Sequence, residues 1–542
     1  MASLQKRIVK GREYWSIVES KRINGKPRPV IVEYIGNTKK LFERIQDNSI
    51  KDSSLKSYSH GDTYALMAIA KKLEIEKTLD AFFKKQTMGG VKRSTSLLLA
   101  AIQSACSPGS KSDFVEWFKA TTLPHELGIK SEALSSQHFW RQMDNISKEE
   151  LMLAEDAITK KILEIYNIGL DKLALDYTNY FTYISTSNEK SNIAKRGRNK
   201  QKRHDLKQCS LALVTSKETG IPLFSHVYEG NKNDQTGFSE YLPLLESRIP
   251  EYDPNEITLI FDGGSVSKKN LATLKTHYIC SFPINYCKKL YDIDIEDYTG
   301  LKINNRTVLC HRTTESIWDE ERVCVLTFSN KLYDGQLKEL NENIAKATNA
   351  LAELNDKIND SKSRIDKSEK ALGKKIEGIL KNKYISDIIH AKTKNNNVVY
   401  DINASKKLEI TTRYFGKKLT ITDRDTWTTS EIIRTYYEQD HIEKLFRDTK
   451  NVEHFSVRPL FHWTEQKIRV HIFTSLLGLT LTSILQRELH NKGFKLSKDK
   501  ILDNLNKVRQ CWVISGSGNK VVKVIEEIDG FLPNLWNAVC DM

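Results

Sequence analysis

Residues 436–450, YYEQDHIEKLFRDTK, set an aromatic, an amide, a carboxylate and a cation at helical offsets, in the pattern Tyr436-x2-Gln439-x3-Glu443-x6-Lys450. At about 100° per residue, positions 436, 439, 443, 447 and 450 share one helical face, and Gln439 and Arg447 flank Glu443 one turn to either side. A carboxylate in that setting can hold a divalent cation while the donors beside it handle a phosphate.

One carboxylate holds a hard cation poorly, so partners are needed. Two aspartates close short apolar runs: LALD ends at Asp176 and ITLIFD at Asp262. Such runs predict buried strands whose final side chain emerges at the sheet edge, where sites in α/β folds form. Taken singly, each acid has an ordinary reading. Asp262, followed by Gly263, Gly264 and a Ser-rich helix start, suits a helix N-cap or turn, and Glu443 suits a solvated helix face. The order strand, strand, helix, with an acid on each, predicts that Asp176, Asp262 and Glu443 converge.

These residues resemble the DDE transposases of bacterial insertion sequences, whose catalytic domain has a ribonuclease H-like fold. The resemblance covers most of the chain. It rests on LDYTNYFTY around Asp176, GIPLFSHVYEGNKND at 220–234, FDGGSVSKKNL around Asp262, and the Tyr-Gln-Glu-Lys stretch followed by VRPLFHWTEQKIRVHIF. Gln439 stands where Arg is frequent in the signature; an amide can orient a phosphate, but without charge.

The resemblance implies that Asp176, Asp262 and Glu443 are the catalytic acids and hold two Mg²⁺ ions, with Mn²⁺ as a substitute. Asp176 would bridge the metals, and Asp262 and Glu443 would each complete one shell. Ions about 3.5–4 Å apart clamp the attacking and leaving oxygens of a phosphodiester. Lys450 and Tyr436 would contact the phosphate beside the scissile bond, supported by Arg447 and Gln439. Some relatives stack a flipped base on a tryptophan, which singles out Trp318 and Trp427; burial in a core is the other reading for each. The implied function is a transposase that binds the inverted repeats of its element, cleaves the ends and joins the 3′-hydroxyls to target DNA, as a homodimer or larger assembly. The alternatives are a ribonuclease H-like nuclease without strand transfer and a DNA-binding protein that has lost catalysis.

The elements that must position these residues follow from length and pattern. At 542 residues and a net charge of +15, the chain is long enough for several domains and suits a polyanionic partner. The eight cysteines (Cys106, Cys209, Cys280, Cys287, Cys310, Cys324, Cys511, Cys540) show no zinc-ligand spacing and predict reduced thiols. MASLQKRIVKGR has no apolar signal region, which predicts a cytoplasmic protein at the nucleoid. Residues 470–486 carry no Asp, Glu, Lys or Arg, but they are marginally short for a membrane span and interrupted by His471 and several threonines. They predict a buried core helix and no membrane partner.

Residues 1–57 predict a small basic β unit, turning at Asn24-Gly25, with Pro27 and Pro29 marking an edge strand. Residues 58–168 carry helical periodicity in YALMAIAKKL, TLDAFFKK, STSLLLAAIQSA and SKEELMLAEDAITKKILEIY, broken by SPGS at 107–110. They predict a helical region that either binds DNA ends or serves as a platform for the core.

The first part of a ribonuclease H-like core, 169–290, is expected to hold strands at 173–176, 210–214, 222–228, 257–262 and 278–283, with a helix over 267–275. The 180 residues between Asp262 and Glu443 exceed what this fold needs, so 291–425 is an insertion. ICSFPINY, RTVLCHR and RVCVLTF predict strands there or near it. Leu337, Leu340, Ile344, Ala347, Leu351, Leu354 and Ile358, continued by Ile365 and Leu372, predict a coiled-coil or helical-hairpin seam, used either as a dimer contact or against its own domain. Residues 426–490 are expected to complete the core, and 491–542 to form a helical C-terminal region. The fold class is therefore α/β.

Residues 195–207, KRGRNKQKRHDLK, hold seven Lys or Arg and one acid in an expected loop. Lys195, Arg196, Arg198, Lys200, Lys202 and Arg203 make either a DNA phosphate track or a solvated loop. The position beside the expected site favours the former.

Overall fold

The computed structural model describes residues 2–23, 26–40, 54–185, 187–199, 203–250, 252–303, 306–394, 397–437, 440–451, 453–458, 460–514 and 521–542. The Asn24-Gly25 turn, Lys200, Lys202 and Gln439 lie outside these residues. In chain order the strands are β1 (Ala2–Val9), β2 (Arg12–Ile23), β3 (Lys26–Asn37), β4 (Ser54–Ser59), β5 (Thr87–Met88), β6 (Val91–Lys92), β7 (Lys172–Phe181), β8 (Gln208–Ser216) and β9 (Pro222–Glu229). They continue with β10 (Thr258–Phe261), β11 (His277–Ser281), β12 (Thr299–Ile303), β13 (Arg306–Ile317), β14 (Glu320–Phe328), β15 (Ile389–Lys394), β16 (Asn397–Ile402), β17 (Lys417–Thr422), β18 (Arg509–Ile514) and β19 (Val521–Ile525). The chain divides into two units, one of Met1–Tyr252 with Asp440–Met542 and one of Asp253–Gln439.

In the first unit one sheet runs β3-β2-β1-β19-β18-β4. Pro27 and Pro29 sit on its edge strand, where a missing N–H breaks no central ladder. The C-terminal segment holds the helices Lys498–Asn506 and Leu532–Cys540, as expected, and between them a hairpin that was not: β18 pairs antiparallel with both β4 and β19. The runs RQCWVI and VVKVI are rich in β-branched residues, and they complete a sheet that residues 1–57 begin.

The helices from Gly61 to Tyr166 pack on one another, on the helix Glu465–Asn491 and on β9. The helix Arg93–Cys106 lies so close to the helix Glu465–Asn491 that a Cβ on Gly478 would sit 2.3 Å from the Ala101 carbonyl oxygen. Among the described residues, Glu465–Asn491 alone is long and apolar enough to cross a membrane, but 94% of its 18-residue apolar window is buried, as a core helix requires. The helix Lys148–Tyr166, opened by a capping box of Ser147 and Glu150, lies on β9. Thr159 Oγ1 donates to the Leu223 carbonyl there, and buried Arg248 pairs with Glu155 at 2.5 Å and Asp156 at 2.7 Å. Strands β7, β8 and β9 form an antiparallel meander in which Asp176 is opposite Leu213.

In the second unit β10 and β11 are parallel, and β11, β17, β14, β13 and β12 follow in antiparallel pairs. The strands expected of an insertion therefore extend one mixed sheet. The seam of the 30-residue helix Asn330–Asn359 is closed within its own unit: Leu340, Ala347, Leu351, Leu354 and Ile358 form one buried cluster with Leu372, Ile376, Leu380, Ile385, Ile388 and Val398. Of the two readings of that seam, packing on its own domain is the one found. The eight cysteines are all free thiols.

Candidate active site

The TLIF of β10 is buried throughout, and the chain leaves the sheet at Asp262 in an extended conformation before the short turn Gly263–Ser265. That turn hugs the end of β11, since a Cβ on Gly263 would lie 3.0 Å from the Ser281 carbonyl oxygen. The Asp262 side chain is exposed at this strand end, as expected. Above it, Ile432 and Ile433 seat the helix Thr429–Tyr437 in a cluster with Ile260, Ile279, Val323 and Val325. This holds Tyr436, 3% exposed, so that its Oη donates to Asp262 Oδ1 at 2.9 Å. Burial, then the charge of Asp262, pushes the Tyr436 hydroxyl pKa up, so it remains a donor at neutral pH. Lys418 Nζ lies 4.6 Å from the centre of the same ring.

Asp176 differs from expectation, lying in the middle of β7 rather than at its end. The YTNYF that follows continues the ladder to Phe181, opposite Gln208, with buried Thr178 and Tyr180 alternating with half-buried Tyr177 and Asn179. Asp176 Oδ1 accepts the Tyr177 N–H at 2.7 Å. Thr178 and Tyr180 share its face of the strand at a period of two, and both reach residues at the end of the Glu443 helix. Lys450 Nζ donates to Thr178 Oγ1 at 2.5 Å, and Tyr180 Oη to Thr449 Oγ1 at 2.6 Å.

The helix Asp440–Asp448 buries Ile442, Leu445 and Phe446 and leaves Glu443, Lys444 and Arg447 exposed. Lys450 lies past its end in a turn, where its N–H bonds to the Arg447 carbonyl at 3.1 Å, instead of on the helix face expected. Tyr436 lies in the last turn of the helix Thr429–Tyr437 and Glu443 in the helix Asp440–Asp448; residues 438 and 439, which join the two, lie outside the described residues. Thr178 carries no sequence signal beyond standing two residues from Asp176.

The donor set of Asp176, Asp262 and Glu443, carboxylate oxygens only, has the chemistry that a hard divalent cation such as Mg²⁺ prefers. Among the described residues no group of three or more His, Cys, Asp and Glu side chains is gathered to hold a metal.

In the basic stretch, Lys195 is tied to Gln208 by backbone bonds in both directions, and buried Asn199 closes the loop by accepting the Arg203 N–H at 2.9 Å. Lys195, Arg196 and Arg198 are exposed. Arg203 is engaged by Asp205 through two bonds, at 2.9 and 2.8 Å, which holds the Asp205 carboxyl down at about 2. Trp318, at φ +55°, and Asp319 form the two-residue turn between β13 and β14. The Trp318 ring packs edge-on against Phe282 and Tyr286 at 5.2 and 5.0 Å. Trp427 packs against the Ile432 cluster, with the Arg424 guanidinium 5.3 Å from its ring.

No protein-family model and no curated protein matches this chain. Among solved structures, the chain is similar to a cryo-EM structure of a piggyBac transposase synaptic complex with hairpin DNA. The TM-score is 0.37 at 10% sequence identity, over 82% of this chain and 80% of that one.

Proposed function

We propose that this chain is a DDE-type transposase with a ribonuclease H-like core, which binds the inverted repeats of an insertion sequence, hydrolyses phosphodiester bonds at the ends and transfers the 3′-hydroxyl strands to target DNA. One observation carries the reading: the Tyr and the Lys of the signature each go to the neighbourhood of a different aspartate. Tyr436 donates to Asp262, and Lys450 donates to Thr178, two residues along β7 from Asp176. A solvated helix face would give neither residue cause to do so.

In this reading Asp176, Asp262 and Glu443 would hold Mg²⁺, which when bound would lower the pKa of a water or 3′-hydroxyl nucleophile. Tyr436 fixes the Asp262 carboxylate, and Lys450, steadied by Thr178, offers its ammonium to the phosphate beside the scissile bond. Arg447 and Gln439 assist, and the net charge of +15 favours approach to DNA. Pairing two ends calls for a homodimer or larger assembly. The test is cleavage and strand transfer of a labelled duplex carrying the element's end, with Mg²⁺ or Mn²⁺, by the wild type and Glu443→Gln. The reading stands if the variant loses both products and still binds the duplex.

A second reading, DNA binding without catalysis, rests on the net charge of +15, which favours a polyanion whether or not the acids hold a metal. A wild-type protein that bound the end yet neither cut nor joined it with either metal would establish this one instead.

A further inference from the structure

A cavity of about 1030 Å³ lies wholly within the first unit. Its walls are the β8–β9 turn, the outer side of the Glu443 helix, the C-terminal end of the helix Glu465–Asn491, and residues 495–499. Lys444, Arg447, Lys450, Arg487, Lys495 and Lys498 line it, against the acids Glu218, Asp448 and Asp499. One acid is already taken, because Lys498 Nζ sits 3.1 Å from Asp448 Oδ2. Lys444, Arg487 and Lys495 make no ion pair among the described residues.

The groove is built rather than loose. Gln486 Nε2 and His490 Nε2 both bond to the Leu496 carbonyl, at 2.8 and 2.9 Å, pinning the segment that carries Lys495 to the end of the core helix. Lys450 is fixed by Thr178. The volume is at the upper limit of a small-molecule pocket. Among the described residues no Phe, Tyr or Trp lines the groove, and His490, which does, is engaged through Nε2 with the Leu496 carbonyl. Cations gathered along a groove poor in aromatic rings suit phosphates, which position a nucleic acid without reading its sequence.

We infer that this groove is a track for the DNA sugar-phosphate backbone, running on from the phosphate assigned to Lys450 and taking the next ones on Arg447, Lys444, Arg487 and Lys495. The inference rests on the proposed transposase reading, which supplies DNA as the partner. It adds residues outside the signature and outside the basic stretch.

The test is equilibrium binding of fluorescein-labelled duplexes, one end-bearing and one unrelated, to the full chain in EDTA over a series of salt concentrations. The wild type is compared with the triple variant Lys444→Gln, Arg487→Gln, Lys495→Gln. The expected result is at least about tenfold weaker binding of both duplexes. The slope of log affinity against log salt should also be shallower by about 0.9 for each phosphate that the variant no longer neutralises. If thermal unfolding shows the triple variant misfolded, Lys444→Gln and Lys495→Gln singly, both at exposed positions, should each remove about one unit of slope. An unchanged slope, with or without a fall in affinity, overturns the track while leaving the transposase reading standing. Loss confined to the end-bearing duplex does the same. A wild type that binds neither duplex defeats both.

Discussion

Tyr436 Oη stands 2.9 Å from Asp262 Oδ1, and both residues belong to one unit. The tyrosine is buried and the carboxylate exposed, so the bond reaches out from the core to orient an acid at the end of β10. Burial and the adjacent charge keep the phenol protonated, so it meets Oδ1 as a donor.

Replacing Tyr436 by Phe keeps the ring packing and removes only that bond. Stability should fall by about 1 kcal/mol or less, because the stranded acceptor is exposed to water. Cation affinity and cleavage rate should fall about 10–100-fold, the usual cost of losing a group that orients a ligand. Metal titration of cleavage measures both; an unchanged metal dependence would remove Tyr436 from the site.

Lys450 and Thr178 separate a charge from its anchor. Lys450→Met should weaken DNA binding and make its salt slope shallower by about one unit. Thr178→Val keeps the ammonium and frees it, so the slope should be preserved while cleavage falls about tenfold through misplacement of the ammonium. Equal effects of the two variants on the slope would show that Thr178 acts on the fold instead.

The Asn330–Asn359 seam predicts a stability effect rather than an oligomeric one. Leu351 is fully buried in a cluster with Leu372, Ile376 and Ile385. Leu351→Ala should therefore cost about 2–5 kcal/mol in urea unfolding and leave the mass in light scattering unchanged. A shift in oligomeric state at intact stability would restore the seam as a dimer contact.

Where a feature depends on neighbours in sequence, the chain announces it. The periodicity of SKEELMLAEDAITKKILEIY marks a helix that the structure keeps over Lys148–Tyr166, and the apolar run at 470–486 marks a core helix. Asp262 also emerges where TLIF ends. The misreadings come from partners far away along the chain. Asp176 was legible as an acid on a strand, but only pairing with β8 carries that strand on to Phe181. The seam from Leu337 to Ile358 declares one apolar face without saying that Leu372 and Ile385 will cover it. Six-residue runs such as RQCWVI carry too little period to be told from helix until β4, more than 400 residues earlier, supplies their ladder.

Two histidines, His226 half-buried and His471 buried, set an acid limit on stability. His226 lies between the rings of Tyr228 and Tyr241, at 6.0 and 5.1 Å, and burial, with Lys148, Arg469 and Arg248 nearby, pushes its pKa down to about 3. His471 bonds through Nε2 to the Val457 carbonyl at 3.0 Å, and burial, then Lys111, lowers it to about 4. Both are neutral in the folded state, whereas in the unfolded chain they protonate near pH ~6.5. Below that pH the unfolded state binds more protons. Their contribution is thus complete above pH ~6.5 and is lost progressively as the pH falls toward the folded-state values. Each histidine steepens the loss by at most about 1.4 kcal/mol per pH unit. Urea unfolding at pH 7, 6 and 5 should show this decline. His471→Gln, which can still donate to Val457, should reduce its steepness by about one proton's worth, and a variant with the wild-type slope would mean that His471 does not titrate between the two states.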